Sequence, residues 1–375
     1  MKKRPLPILA PVLLLLALSC SGEKTIRIIV DNPLDFERKG ELTELAIDTA
    51  LVNFATGTYI LKEETGREIP YQLSTSDGAP VLLFQADAHP LSTSTYFLVK
   101  GRPSAVRPLT NARFVAERKD DFSWENDFAA YRMYGPALAG ENPSNGVDIW
   151  MKSTDTLVAD KFYADELQRH ISYHENNGQG LDCYDVKHTA GAGGIAPYTD
   201  RIHIGDHYDR YEITEAGPLR STFTLFYDSV LINGAIYQAS IRITAEAGSM
   251  LNKASVTYLG PEKGFTRLAA GIVLHADHNP AVVRPDIISN TEKAVSASGI
   301  PQGSCHIGVY MPEAITTLTE DGHQLILAEY TPGQTLTYYF GGSWSQWRYP
   351  DFSSWNEALI RFTCTRELPL KASIQ

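Results

Sequence analysis

The chain has 375 residues, 43% of them hydrophobic, with 33 Lys and Arg against 44 Asp and Glu and a formal net charge of −11. That length exceeds one usual domain and suits two. The acidic balance argues against a nucleic-acid partner, which asks for a basic face, but leaves room for an anionic small substrate, because a local cluster of Arg, Lys and His reverses the field inside a cleft.

The first residues read as an export leader. Met1-Lys2-Lys3-Arg4 is basic, Ile8 to Leu18 is apolar apart from Pro11, and Ala17-Leu18-Ser19-Cys20 supplies small residues around a cut site. These are the parts of a secretory signal, and the apolar run is shorter than the roughly 20 residues that span a bilayer. Residues 1–19 are therefore expected to be a signal peptide. A Cys directly after Ser19 makes a lipobox, with Cys20 as the acylated residue. Two acyl chains anchor stably where one is marginal. The expected location is the outer membrane, on its periplasmic or surface face, with the lipid anchor as the chain's membrane contact. The remaining cysteines are Cys183, Cys305 and Cys364. An odd count leaves at least one thiol free. Cys305–Cys364 is one pairing open to them, and spacing does not select it.

Residues 20–105 read as a small β domain. Runs at Ile26–Asp31, Leu42–Asp48, Val81–Phe84 and Thr95–Val99 are alternating or β-rich and end at polar or Gly residues, the grammar of strands. Gly101-Arg102-Pro103-Ser104 is a plausible linker. From 106 to 375 the strands lengthen. Tyr211 to Tyr227 is broken at Gly217-Pro218. In Ile236–Thr244 the apolar Ile236, Ala239, Ile241 and Ile243 stand among Gln238, Ser240, Arg242 and Thr244. Long antiparallel strands with short turns imply a large sandwich. Helix signals are few: Asp155–Gln168, and a capping box at Ser354-Trp355-Asn356-Glu357 followed by Leu359 and Phe362 at helical spacing.

Three stretches depart from strand grammar. In Trp124–Pro136, Arg132 and Tyr134 are two apart and share a face if extended. Arg offers a planar fork for a carboxylate or sulfate, and Tyr can transfer a proton; a structural ion pair of Arg132 with Glu125 or Asp127 competes with that reading. In Tyr173–His188, running into Gly191-Ala192-Gly193-Gly194, titratable side chains stand among glycines, which let backbone approach a ligand. Asp182 and Tyr184 share a face there. No GxxxxGK[ST] is present, so a nucleotide site is not expected. In Tyr338–Tyr349, Trp344 and Trp347 present flat faces on which sugars stack, or form a hydrophobic seam. His203, Asp206 and His207, and His275, Asp277 and His278, are the possible metal ligands, yet no metal and no cofactor is expected.

Together, WENDxxAYRMYGPAL (124–138), SNGVDIWMK (144–152), YHxxxGxGLDCYDV (173–186) with GAGG (191–194), and GGSWS with Trp347 resemble a family of uncharacterised lipoproteins from polysaccharide-degrading gut and marine bacteria. The resemblance covers nearly the whole mature chain. It implies a mainly β protein, with a small N-terminal barrel-like β domain followed by a large antiparallel, galactose-mutarotase-like β-supersandwich, as in certain polysaccharide lyases. At least one relative in that family is described as an oligosaccharide dehydratase, which removes water from a non-reducing-end uronic acid of ulvan oligosaccharides. One departure stands out: a Gly is expected after Val186, where Lys187-His188 intervene.

The chemistry fits these residues. The C5 proton of a uronate is acidified only when its carboxylate charge is offset, after which a base must take it and an acid must protonate the departing group at C4. On that reading Arg132 holds the carboxylate, His174 or Tyr184 is the base, and Tyr134 is the acid. Asp127, Asp182, Lys187, His188, Trp344 and Trp347 bind substrate, with Lys187 and His188 tuning preference. The substrate is then an anionic, uronic-acid-containing oligosaccharide cleaved or dehydrated by β-elimination. The alternatives are a glycoside hydrolase, which needs two opposed carboxylates drawn from Asp127, Asp148 and Asp182, and a glycan-binding surface lipoprotein without catalysis.

Overall fold

Alternation of apolar and polar residues drives the chain into paired sheets, because the apolar face of each strand is buried against a neighbouring layer. The computed structural model describes residues 25–76, 78–140, 144–262 and 264–375; the leader and Cys20 lie outside them. Four sheets result. The first two belong to the N-terminal domain. One has five strands in the order Lys371–Ile374, Ile26–Asn32, Ser92–Lys100, Tyr59–Glu63 and Glu68–Ile69. The other has three, in the order Arg38–Ala46, Ala79–Ala88 and Tyr71–Ser76. Ile28, Val30, Leu61 and Leu98 from one sheet meet Leu45, Leu82 and Phe84 from the other in a single apolar cluster.

The expected barrel-like β domain takes the form of an open two-sheet sandwich. Its boundary is not confined to 20–105, because residues 371–374 return to pair antiparallel with Ile28–Asp31. The first domain is therefore completed by the end of the chain. Polar contacts fix the second domain against it: Gln72 Oε1 accepts from the backbone N–H of Leu219 and of Arg220, at 2.8 and 2.9 Å, and the nearly buried Arg220 pairs with Glu44 and Glu215.

The second domain is a sandwich of a nine-stranded and an eight-stranded sheet. In chain order, the nine-stranded sheet takes Asn111–Val115, Asp121–Glu125, Ala129–Met133, Asn145–Lys152, Gly180–Asp182, His188–Tyr198, Arg267–Val273, Ala314–Glu320 and His323–Glu329. The eight-stranded sheet takes the other long strands, including Ala235–Glu246, Pro301–Tyr310 and Thr335–Trp344. Among the described residues every pairing is antiparallel except that of Asn145–Lys152 with His188–Tyr198. Between the sheets lies a large core holding Trp124, Tyr131, Phe223, Phe340 and Trp344. In Ala235–Glu246 the inward side chains are Tyr237, Ala239, Ile241, Ile243 and Ala245; Ile236, one position out of phase, is 60% exposed.

The glycines of 191–194 serve the fold. They lie within the buried strand His188–Tyr198, where Gly191 takes φ +63° and a Cβ would come within 2.1 Å of the Val147 carbonyl oxygen. They permit close strand-to-strand approach. Helices form at Ala159–Arg169 and Phe352–Glu367. The second begins three residues before the expected box: Asp351 is the cap, and its side chain and that of Ser354 reciprocate across the first turn. Cys364 lies on this helix, whereas Cys305 lies on a strand with its sulfur 3.6 Å from that of Cys183. The Cys305–Cys364 pairing is therefore replaced by a different neighbour.

Candidate active site

The site forms on the outer face of the nine-stranded sheet. In Ala129–Met133, Tyr131 turns into the core and stacks on Trp124 at 5.3 Å. Strand periodicity then puts Ala130 and Arg132 on the opposite face. Register supplies their neighbours: Arg132 is opposite Asp148 on one side and Ser123 on the other, and Trp150 is opposite Asp182. The helix Ala159–Arg169 and the following loop cover this face. Val115, Ala130, Trp150, Phe162, Tyr163 and Tyr173 form an apolar lid over it. Glu125 fixes the helix by accepting from the N–H groups of Val158 and Ala159, at 2.6 and 2.8 Å, while paired with the buried Lys152 at 2.6 Å. A carboxylate at a helix N-terminus is a favourable match.

Beside this lid opens a cleft of about 350 Å³. Arg118, Arg132, Tyr134, His174, Asp182 and Tyr184 all line it, together with Cys183, Asp185 and smaller residues. Two chain segments about 40 positions apart are thus brought into one cavity, but not all in the expected roles.

Arg132 is 3% exposed, and its fork is occupied by the protein's own acids: Nη2 lies 2.6 Å from Asp148 Oδ2 and 3.0 Å from Asp182 Oδ2, and Nη1 lies 3.7 Å from Asp121. Nη1 also donates to Tyr173 Oη at 3.2 Å. Burial by itself would lower the Arg132 pKa, but Asp148 and Asp182 outweigh it and hold the guanidinium charged. Its fork is thus committed to the protein's own acids, which it holds together, and not left open as the sequence reading expected. Its partners are also not Glu125 or Asp127. Around Arg132, burial and the nearby Asp148 push the Asp182 carboxyl well above the carboxylate range. Burial raises Asp121 to about 6 against the pull of Arg132 and Arg118.

Tyr134 Oη sits 3.5 Å from Arg132 Nη2, and burial raises its pKa, so the hydroxyl stays protonated and is a donor. The His174 side chain is 46% exposed. Its Nδ1 is 3.1 Å from the Asp182 carbonyl oxygen and 3.5 Å from Asp182 Oδ2. Its carbonyl accepts from the Ala297 N–H at 3.0 Å, and the neighbouring Glu175 receives the N–H and the hydroxyl of Ser298. With Nδ1 anchored, Nε2 is the nitrogen left for the cleft.

Other expectations are displaced. The Tyr184 hydroxyl is directed at the backbone oxygens of Gly191 and Val273, both at 3.4 Å, and burial raises its pKa strongly, so the phenol stays protonated in the cleft wall. Asp127 lies elsewhere, accepting from the Gly248 N–H at 2.8 Å and paired with Arg348 at 3.2 Å. Trp344 is 1% exposed in the core, with Nε1 donating to the Gln302 carbonyl, so no sugar reaches it. Trp347 is 38% exposed but lies outside the cleft, by Arg348. Lys187 takes φ +52° and points to solvent, paired with Asp185 at 2.9 Å. His188 belongs to a separate depression with Arg201 and His203. The histidines weighed as metal ligands have other partners: His203 Nε2 meets Thr199, His207 Nε2 the Ser144 carbonyl, and His275 Nδ1 Glu292. Among the described residues no group of three or more His, Cys, Asp or Glu side chains is placed to hold a metal ion.

Sequence reasoning missed Arg118. It ends a single 3-10 turn, Ala116–Arg118, after which Lys119 and Asp120 take positive φ and swing the chain back into the sheet. Its side chain is 26% exposed, 3.9 Å from Asp121 and hydrogen-bonded to Tyr173, and these two partners raise its pKa against the pull of burial. Within the run Glu117-Arg118-Lys119-Asp120-Asp121 it reads as one charge of a solvated turn; the sole signal was that such a run falls between two strands.

A family described as a domain of unknown function, DUF4861, matches residues 30–371. The chain belongs to the DUF4861 family. It is 26% identical, over 93% of its own length and 93% of the other chain, to "Uncharacterized protein P7" of Formosa agariphila. Among solved structures it is similar to a protein in glycosyl hydrolase family 38 from Enterococcus faecalis, with a TM-score of 0.49 and 9% identity, and to an alpha-mannosidase from Enterococcus faecalis V583, with a TM-score of 0.44 and 10% identity. Each likeness covers 94% of this chain, which spans about half of those proteins, 47% and 46% of their length.

Proposed function

We propose that this DUF4861 protein is a carbon–oxygen lyase that acts on uronic-acid-containing oligosaccharides by β-elimination, as a dehydratase or a polysaccharide lyase, and leaves a 4,5-unsaturated uronyl end. The observation that carries the reading is one cleft holding a partly exposed arginine, Arg118, whose one ion-pair contact is a long one to Asp121, and a half-exposed histidine whose Nδ1 is tied to Asp182. Arg118 takes the carboxylate that Arg132 is not free to take, and offsets its charge. His174 Nε2 removes the C5 proton, and the electron pair passes into the carboxylate as an enediolate. That pair then forms the C4–C5 double bond as the C4–O bond breaks. Tyr134, a protonated hydroxyl beside the Arg132 charge, donates to the leaving oxygen. Asp182 positions His174, and Arg132 holds Asp182. General acid and base groups contribute roughly 10²–10⁴ each to such a reaction.

A hydrolase has less support. Asp148 has no exposed surface and lies behind Asp182 on the same guanidinium, and Asp127 is outside the cleft. The cleft's other carboxylate, Asp185, is 61% exposed and paired with Lys187. We further propose that Cys20 is acylated and holds the enzyme at the outer membrane. The deciding assay is incubation with a panel of uronic-acid oligosaccharides, followed by mass and by ultraviolet absorbance. A conjugated double bond, with loss of one water or with chain cleavage, supports elimination. New reducing ends without absorbance would establish hydrolysis, and binding without product would leave a lectin-like protein.

A further inference from the structure

The cleft wall contains a pair of thiols that the proposed chemistry does not use. Cys183 stands between Asp182 and Tyr184 and lines the cleft, partly exposed. Cys305 is 1% exposed on Pro301–Tyr310 of the opposite sheet, in register with Glu292 on one side and Trp344 on the other. The two sulfurs are 3.6 Å apart, although 122 positions separate the residues. Cys183 packs against the same apolar cluster that includes Cys305. Disulfide sulfurs are about 2.05 Å apart, so the two sulfurs, 3.6 Å apart, have roughly 1.5 Å left to close.

We infer that Cys183 and Cys305 form a disulfide that ties the segment carrying Asp182 to the opposite sheet. The inference is independent of which reaction the cleft performs. The oxidant is a disulfide-bearing molecule, protein or small, as found in the oxidising compartments to which secretory leaders deliver. Exposure orders the steps. The Cys183 thiolate, reachable from the cleft, attacks the oxidant's disulfide, forming a mixed disulfide and releasing one thiolate. The Cys305 thiol, which its contact with Cys183 and burial hold protonated, gives up its proton to the departing thiolate as its sulfur attacks that of Cys183, and the second thiol is released. Two protein thiols give up two protons and two electrons, and the oxidant's disulfide becomes two thiols. Asp182 adjoins Cys183 and positions the Nδ1 of His174, so the bond braces the cleft beside the residue that orients His174. Cys364, on its helix, stays a free thiol.

The test treats the folded, reduced full-length protein with oxidised glutathione, quenches with acid, alkylates under denaturing conditions and maps the cysteine peptides. The expected result is one cross-linked peptide pair joining Cys183 to Cys305, Cys364 fully alkylated, and a melting temperature above that of the reduced protein. Cys305→Ser should trap glutathione on Cys183, and Cys183→Ser should abolish both the cross-link and the oxidant-dependent rise in melting temperature. Alkylation of Cys183 and Cys305 after full oxidation, a Cys305–Cys364 cross-link, or stable glutathionylation of Cys183 in the unsubstituted protein would each overturn the inference.

Discussion

Replacing Arg132 with Met removes a buried cation of similar length and leaves its acids facing each other. In the native protein one guanidinium nitrogen lies within 3.0 Å of both Asp148 and Asp182. Removing one partner of a buried ion pair costs about 3–5 kcal/mol, because the remaining charge keeps its desolvation penalty. Protonation of the acids limits the cost: Asp182 is already raised by burial and by Asp148, and it takes up a proton more readily still once Arg132 is gone. Arg132→Met should therefore lose roughly 3 kcal/mol at neutral pH and less in acid. At about 2–4 °C per kcal/mol for a domain of 150–250 residues, the melting temperature falls by roughly 10 °C. Thermal melts of native and variant protein from pH 5 to pH 8, run beside turnover, measure both quantities. A variant that melts within a degree or two of the native protein at every pH, yet is inactive, would refute its role in holding the acids. It would return Arg132 to the role of a free substrate anchor.

Arg118→Ala should raise KM for a uronate substrate well over tenfold while leaving the melting temperature nearly unchanged, because its charge is partly exposed and its one ion-pair contact is a long one; unaltered KM across the substrate panel would remove it from the site. His174→Gln should lower kcat by roughly 10²–10⁴ with substrate binding retained, as for groups acting in the transition state, and normal turnover would end its assignment as base. The Asp121 pKa, raised by burial to about 6 from 3.8, means that the folded state binds this proton more tightly than the unfolded state. Stability from this group is present below about pH 4 and is lost as pH rises to about 6, an amount of roughly 3 kcal/mol at 1.36 kcal/mol per pKa unit. Asp121→Asn should flatten that part of the stability profile, and an unaltered profile would show that Asp121 ionises normally. Trp344→Ala should cost about 3–5 kcal/mol as a large-to-small core substitution, whereas Trp347→Ala should leave the melting temperature almost unmoved; equal, small effects would contradict the burial of Trp344.

The strands at Ile26–Asn32, Ser92–Lys100 and Ala235–Glu246 were legible because period-two alternation and turn residues are local facts, and so was the helix over Ala159–Arg169, within a few residues. The position of Arg132 and Tyr134 on one face followed from spacing alone. Sequence could not supply the partner of Arg132. Asp148 and Asp182 reach it through strand register and a loop closure 50 positions long, and register is set by the packing of whole sheets. The same limit explains Trp344 and Trp347: three positions apart and chemically alike, they differ only in whether the opposite sheet covers them. It explains Arg118 too, one charge in a run of five until the 3-10 turn and two left-handed residues aim it into the cleft. Residues 371–374 complete a domain that starts more than 300 residues earlier, a pairing no local signal announces. Composition and periodicity determined that this protein is layered β-sheet; the tertiary structure alone decided which of its many polar residues share a cleft, because side chains meet there through burial and register and not through distance along the chain.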